Sequence, residues 1–114
     1  ALLKTLAQGA FIELTNIAVK EGRSALPVSA VLPVLERWSY DLLAVKQGLE
    51  PHYFPAYSPQ MKRLVSSVDA EKLFKYNDSL KAMRRVVTHP LNAQLIVEQA
   101  ILRYRKTMAN QDFD

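Results

Sequence analysis

The chain has 114 residues, 49% of them hydrophobic and 23% charged, with a net charge of +4 and a pI near 9.5. A chain of this size buries roughly two thirds of its unfolded surface, enough for one domain with one modest core and not for two. It has no cysteine, which excludes disulfides and thiolate metal sites and fits a reducing compartment. No apolar run approaches the roughly 20 residues that cross a bilayer as a helix, and no signal peptide is visible, so the expectation is a soluble, cytoplasmic protein without a membrane partner.

Ala1 stands where an initiator Met is expected, which suggests that residues 1–114 are a single domain of a longer polypeptide. Leu2, Leu3 and Leu6 predict a short helical stretch over residues 1–9, an incomplete first helix that Gly9 ends or bends. Phe11, Leu14, Ile17 and Ala18 continue a helical spacing to Lys20, and Gly22 then sits where a left-handed cap belongs.

The next segment, from Leu32 to Gly48, organises the rest. Val31, Leu35, Trp38, Leu42, Val45 and Leu49 recur at steps of four and three, which aligns them on one side of a helix. Tyr40 and Leu43 fall on roughly the opposite side with Leu32 beside them, so the helix is expected to have neighbours on more than one face. Pro27 and Pro33 belong before it or in its first turn, which starts the regular helix near Leu32.

From Glu50 to Ser58 the sequence EPHYFPAYS has two prolines, three aromatics and no period; it predicts a loop. Ser58 is expected as N-cap with Pro59 at the first helical position, and Met61, Leu64, Val65 and Val68 line the inner side of a short helix. Asp69 caps the next helix, with Glu71 in its first turn and Leu73, Tyr76, Leu80, Met83 and Val87 as its stripe. His89 and Pro90 break it. Asn92 is expected to cap a last helix, with Leu91 stapled on Ile96 and with Val97, Ile101, Tyr104 and Met108 buried, Leu95 and Leu102 widening that face. Residues 110–114 read as a frayed tail. No segment alternates polar and apolar residues, so the predicted class is all-α, a compact bundle of five to six helices.

Chemistry-bearing motifs are missing from the sequence. Gly9, Gly22 and Gly48 are isolated, without a phosphate-binding pattern around them. His52 and His89 lie in different loops without a carboxylate at ligand spacing, and Ser39, Ser66 and Ser67 have no nucleophile motif. No catalytic residue, metal site or cofactor is expected. Asp41 falls at the edge of the buried stripe and needs a partner there: Arg37 one turn back, a bond to a neighbouring cap, or another subunit. Lys81, Arg84 and Arg85 form a basic cluster that reads either as a solvated helix end or as a phosphate contact, joined in the latter case by Arg103, Arg105 and Lys106. Tyr53, Phe54 and Tyr57 either close the end of the bundle or anchor a partner.

The run Trp38-Ser39-Tyr40-Asp41-Leu42-Leu43, the aromatic loop, and His89-Pro90-Leu91-Asn92 leading into LIVEQAILRYR are together similar to the C-terminal collar domains of the bacterial DNA polymerase III clamp loader, those of delta-prime subunits above all. The resemblance spans about Phe11 to Met108; gamma/tau and delta collars are related and are told apart by domains outside this chain. It implies a helical oligomerisation domain without catalysis. Its partners would be the collars of the other clamp-loader subunits, delta and gamma/tau, with DNA met only indirectly through the complex and no small-molecule substrate. The candidate subunit contacts are Tyr40, Asp41, Leu43, Arg103 and Tyr104. The alternative is a small helical nucleic-acid-binding domain using Lys81, Arg84 and Arg85.

Overall fold

The computed structural model describes residues 28–86 and 90–112. Among them are four α-helices, one 3-10 turn and no strand: α1 (Val28–Lys46), the turn Pro55–Tyr57, α2 (Ser58–Val65), α3 (Ala70–Val86) and α4 (Pro90–Met108). The all-helical class agrees with the periodicity. The helices expected over residues 1–20 lie outside the described residues.

α1 touches each of the other three helices, and α3 and α4 also touch each other. Its expected stripe of Val31, Leu35, Trp38, Leu42 and Val45 is buried. Leu32, Ser39 and Asp41 are buried as well, so the covered arc spans about half the helix circumference, which is how one helix serves three neighbours. The second face is narrower than the sequence predicts: Leu43 is only partly covered and Tyr40 is half exposed.

Several boundaries differ from the expected ones, each for a local reason. α1 starts at Val28 rather than Leu32, leaving Pro33 inside the helix as its sixth residue. The missing N–H there deprives only the Ser29 carbonyl, one turn from the start, and burial of Val31 and Leu32 holds the extra turn. α1 ends in a left-handed cap: Gly48 has φ +88°, its N–H reaches the Val45 carbonyl at 3.0 Å, and the Leu49 N–H reaches Ala44 at 2.9 Å. That turn throws Leu49 out of the stripe, and it is exposed.

Ser58 is the first residue of α2 and not its cap. The preceding turn already delivers the chain in helical geometry, and the Ser58 hydroxyl points to Glu50 Oε2 at 3.4 Å. At the other end of α2, Lys46 Nζ donates to the Val65 carbonyl at 2.9 Å, a cation on the negative end of a helix dipole. Asp69 caps α3 as expected, its Oδ1 accepting the Glu71 N–H at 3.0 Å. Leu73, Tyr76, Leu80 and Met83 are buried; Val87 lies outside the described residues.

α4 begins at Pro90, so Asn92 lies within it and is not its cap. Proline at the first helical position has the right φ and no N–H to satisfy. The side chains of Leu91 and Asn92 lie outside the described residues. Val97, Ala100, Ile101, Tyr104 and Met108 are buried, whereas Leu95 and Leu102 are exposed. Those two are seven residues apart and share the side away from the core, so they do not widen the buried face.

Asn110 and Asp112 bond back to the bundle. Asn110 adopts φ 58°, its Nδ2 donates to the Ser67 carbonyl at 2.6 Å and its Oδ1 accepts the Asp69 N–H at 2.8 Å. One side chain thereby joins the end of α4 to the α2–α3 junction, and Lys72 adds an exposed ion pair to Asp112 at 2.8 Å.

The centre of the core is aromatic and fully bonded. Trp38 Nε1–H donates to the Tyr104 hydroxyl at 3.0 Å, and the Tyr76 hydroxyl donates to the Ala100 carbonyl at 2.8 Å. The Tyr76 and Tyr104 rings lie 5.7 Å apart. Burial pushes both phenols above the ordinary tyrosine range. At the α1–α3 crossing, Asn77 Nδ2 donates to the Ser39 hydroxyl at 2.9 Å, so two buried polar groups satisfy each other.

Candidate subunit-contact surface

The surface is built outward from Asp41. Its carboxylate is wholly buried and receives the backbone N–H groups of three successive loop residues. Oδ1 accepts from His52 at 2.9 Å and Tyr53 at 3.1 Å; Oδ2 accepts from Tyr53 at 2.9 Å and Phe54 at 2.8 Å. Three convergent N–H groups on one carboxylate make a tight anion nest, and charge-assisted bonds of this kind are short and strong. A loop of two prolines and three aromatics, with no ladder of its own, thus obtains its backbone partners from a helix side chain.

Fixing that backbone sorts the loop's rings onto two sides. Phe54 and Tyr57 turn inward onto Trp38, with centroids 6.0 and 5.8 Å from it. Tyr53 turns outward and remains 46% exposed. It meets Tyr40 of α1 edge-on at 5.7 Å and His52 at 4.7 Å, and the Arg37 guanidinium carbon lies 5.9 Å from its ring centre. Arg37 and Tyr40 are three residues apart on the open side of α1, which is why both reach the same ring. The outcome is an exposed ridge of two tyrosines, a histidine and an arginine above a rigid support.

The glutamates around the ridge have contacts elsewhere in the chain. Glu36, one turn before Tyr40, receives Arg84 Nη1 at 3.1 Å. Glu50 lies 4.0 Å from Lys62 and accepts from Ser58. Arg37 has no carboxylate partner among the described residues; the expected pairing with Asp41 is replaced by the loop N–H groups.

Of the expected subunit contacts, Tyr40 is exposed and Leu43 partly so. Asp41 and Tyr104 are buried, the first bonded to the loop and the second to Trp38. Arg103 is partly covered on α4. In the basic cluster, Lys81, Arg84 and Arg85 are exposed on α3, but Arg84 is committed to Glu36, and this brings it within a turn of Tyr40. Of the terminal cations, Arg105 and Lys106 are partly covered. The loop aromatics both close the bundle and contribute outward: Phe54 and Tyr57 do the first, Tyr53 the second. Arg37 is invisible as a contact in the sequence because nothing in a one-dimensional pattern distinguishes an arginine lying over a loop ring from a solvated one.

Among the described residues no three metal-capable side chains cluster, and no helix is long and apolar enough to cross a membrane. Comparison with protein-family models, curated proteins and solved structures finds no match.

Proposed function

We propose that this chain is a subunit-association domain of the clamp-loader collar type, the C-terminal domain of a delta-prime-like protein that helps hold a replication complex together in the cytoplasm. On this reading the whole domain is a five- to six-helix collar, its partners are the collars of delta and gamma/tau subunits, and DNA is met only through the assembly. The sequence similarity at Trp38–Leu43 and His89–Asn92 supports it. The observation that carries it is the exposed, preorganised Tyr40–Tyr53 ridge: tyrosine and arginine held rigid at a surface are the residues in which interface energy concentrates.

A subunit inside a ring needs two unlike faces, because head-to-tail contacts use different patches on each neighbour. On this reading the ridge and the exposed Leu95 and Leu102 on α4 would supply those two faces. The alternative of nucleic-acid binding through Lys81, Arg84 and Arg85 is weaker, since Arg84 is tied to Glu36 and Asp78 lies one turn before Lys81. The test is sedimentation velocity of the domain mixed with delta and gamma/tau collar domains. A complex at micromolar concentration is expected; separate boundaries would overturn the reading.

A further inference from the structure

Resting on that association reading, we propose that the Tyr53 ridge takes an acidic partner segment, with an apolar or aromatic side chain seated against Tyr40 and Tyr53 and an adjacent carboxylate on Arg37. Four observations point to this chemistry. Tyr53 is half exposed although its backbone N–H is held by both oxygens of Asp41, so the ring is presented without a large ordering cost on binding. The Arg37 guanidinium carbon lies over that ring, 5.9 Å from its centre, within cation–π range, and the side chain is exposed, so its fork can take a carboxylate bidentately. The nearby carboxylates have other contacts in this chain, Glu36 Oε2 with Arg84, Asp41 with the loop N–H groups and Glu50 with Lys62, and Arg37 has no carboxylate partner among the described residues, which leaves its guanidinium for an incoming anion. His52, 4.7 Å from Tyr53, adds a second donor at the ridge.

A single-stranded nucleic acid is the less suitable occupant. Its backbone needs a track of several cations beside the stacking rings, and the ridge carries one arginine, while the guanidinium of Arg84 is held by Glu36. A protein segment needs one carboxylate beside one anchor, which is what the ridge offers.

The experiment uses the whole 114-residue chain and three fluorescein-labelled 12-residue probes of equal length: one of alternating Glu and Asp around a central Phe-Leu pair, its Lys counterpart, and oligo-dT. Fluorescence anisotropy at low and moderate salt is expected to show the acidic probe binding at least about tenfold more tightly than either other probe, as steered charge pairs do. Arg37→Glu is expected to lose about tenfold for the acidic probe, and to reverse the preference toward the Lys probe. Tyr53→Ala tests the anchor and is expected to weaken the acidic probe by a similar factor, with circular dichroism showing the fold retained.

Equal affinity for acidic and basic probes, an unchanged Arg37→Glu variant, or tighter binding of oligo-dT would each overturn the proposal. So would self-association of the chain that excludes the acidic probe. The collar assignment fails separately: absence of a complex with delta and gamma/tau collars, alongside acidic-probe binding, removes the assembly and leaves the ridge chemistry standing. Assembly with those collars that Arg37→Glu does not weaken removes this inference alone.

Discussion

Replacing Asp41 by Asn preserves shape and removes one acceptor, which isolates the carboxylate's contribution. In the native loop three N–H groups share two oxygens across four contacts of 2.8 to 3.1 Å. An amide keeps one oxygen and turns an NH2 toward N–H groups it cannot accept from, so at least one donor is left without a partner and the remaining bonds lose their charge assistance. At about 1 to 1.5 kcal/mol per orphaned or weakened bond, Asp41→Asn should cost about 2 to 3 kcal/mol, and Asp41→Ala about 3 to 4. Against a total stability of roughly 5 to 15 kcal/mol this is a large fraction. In urea, with a slope of about 1 to 3 kcal/mol/M, the midpoint should fall by about 0.7 to 3 M. Trp38 reports the change directly, because Phe54 and Tyr57 cover it. An Asp41→Asn protein within about 0.5 kcal/mol of wild type, a shift typical of a surface substitution, would refute the claim that this carboxylate holds the loop.

Three further outcomes follow from the same structure. Asn110→Gly keeps the left-handed backbone but loses the bonds to Ser67 and Asp69, whereas Asn110→Ala loses both conformation and bonds; thermal unfolding should rank them in that order, Ala costing roughly 1 kcal/mol more, near the left-handed penalty of an L-residue. Tyr104→Phe removes the acceptor of the buried Trp38 N–H and should cost about 1 to 3 kcal/mol, the price of a stranded donor, measured by urea denaturation. Alkali should destabilise the fold through Tyr76 and Tyr104, whose phenols burial raises above the ordinary range. The unfolded chain loses those protons near pH 10 and the folded one keeps them, so stability is intact below about pH 10 and falls above it by about 1.4 kcal/mol per pH unit for each tyrosine. Tyr76→Phe should roughly halve that slope, which denaturation at pH 10 to 11.5 will show.

The helical class and most of the core were legible because burial in this chain follows a single period. Trp38, Leu42, Tyr76, Leu80, Ile101 and Tyr104 each lie where spacing of three and four puts them. The errors fall where a local conformation overrides the period. Leu49 continues the stripe numerically, but Gly48 turns the chain before it arrives. Leu95 and Leu102 are apolar without being inward, since they are in phase with each other and out of phase with Val97 and Ile101. Asn110 looks like the start of a tail because its left-handed turn and its two long-range bonds involve partners more than forty residues away. The ridge was half legible: Tyr40 stands out as an aromatic off the stripe, whereas Arg37 and Tyr53 become neighbours only once Asp41 has drawn the loop down.

That dependence makes the surface a test of the interior. Tyr53 reaches Tyr40 and Arg37 because its own N–H is bound to a carboxylate one turn beyond Arg37, so the exposed ring and the buried charge are two ends of one arrangement. Loosening the carboxylate should therefore weaken binding at the ridge without altering any group that a partner touches. In Asp41→Asn, examined where circular dichroism shows the protein still folded, association through the ridge should fall by about threefold to tenfold, because a partner must then supply the roughly 0.5 to 1.5 kcal/mol of ordering that the native loop has already met. Hydrogen exchange at the amides of residues 52–54 should accelerate in the same variant. Faster exchange with unchanged affinity would mean that the Tyr53 ring is positioned by its own edge contact with Tyr40 and not by the buried aspartate.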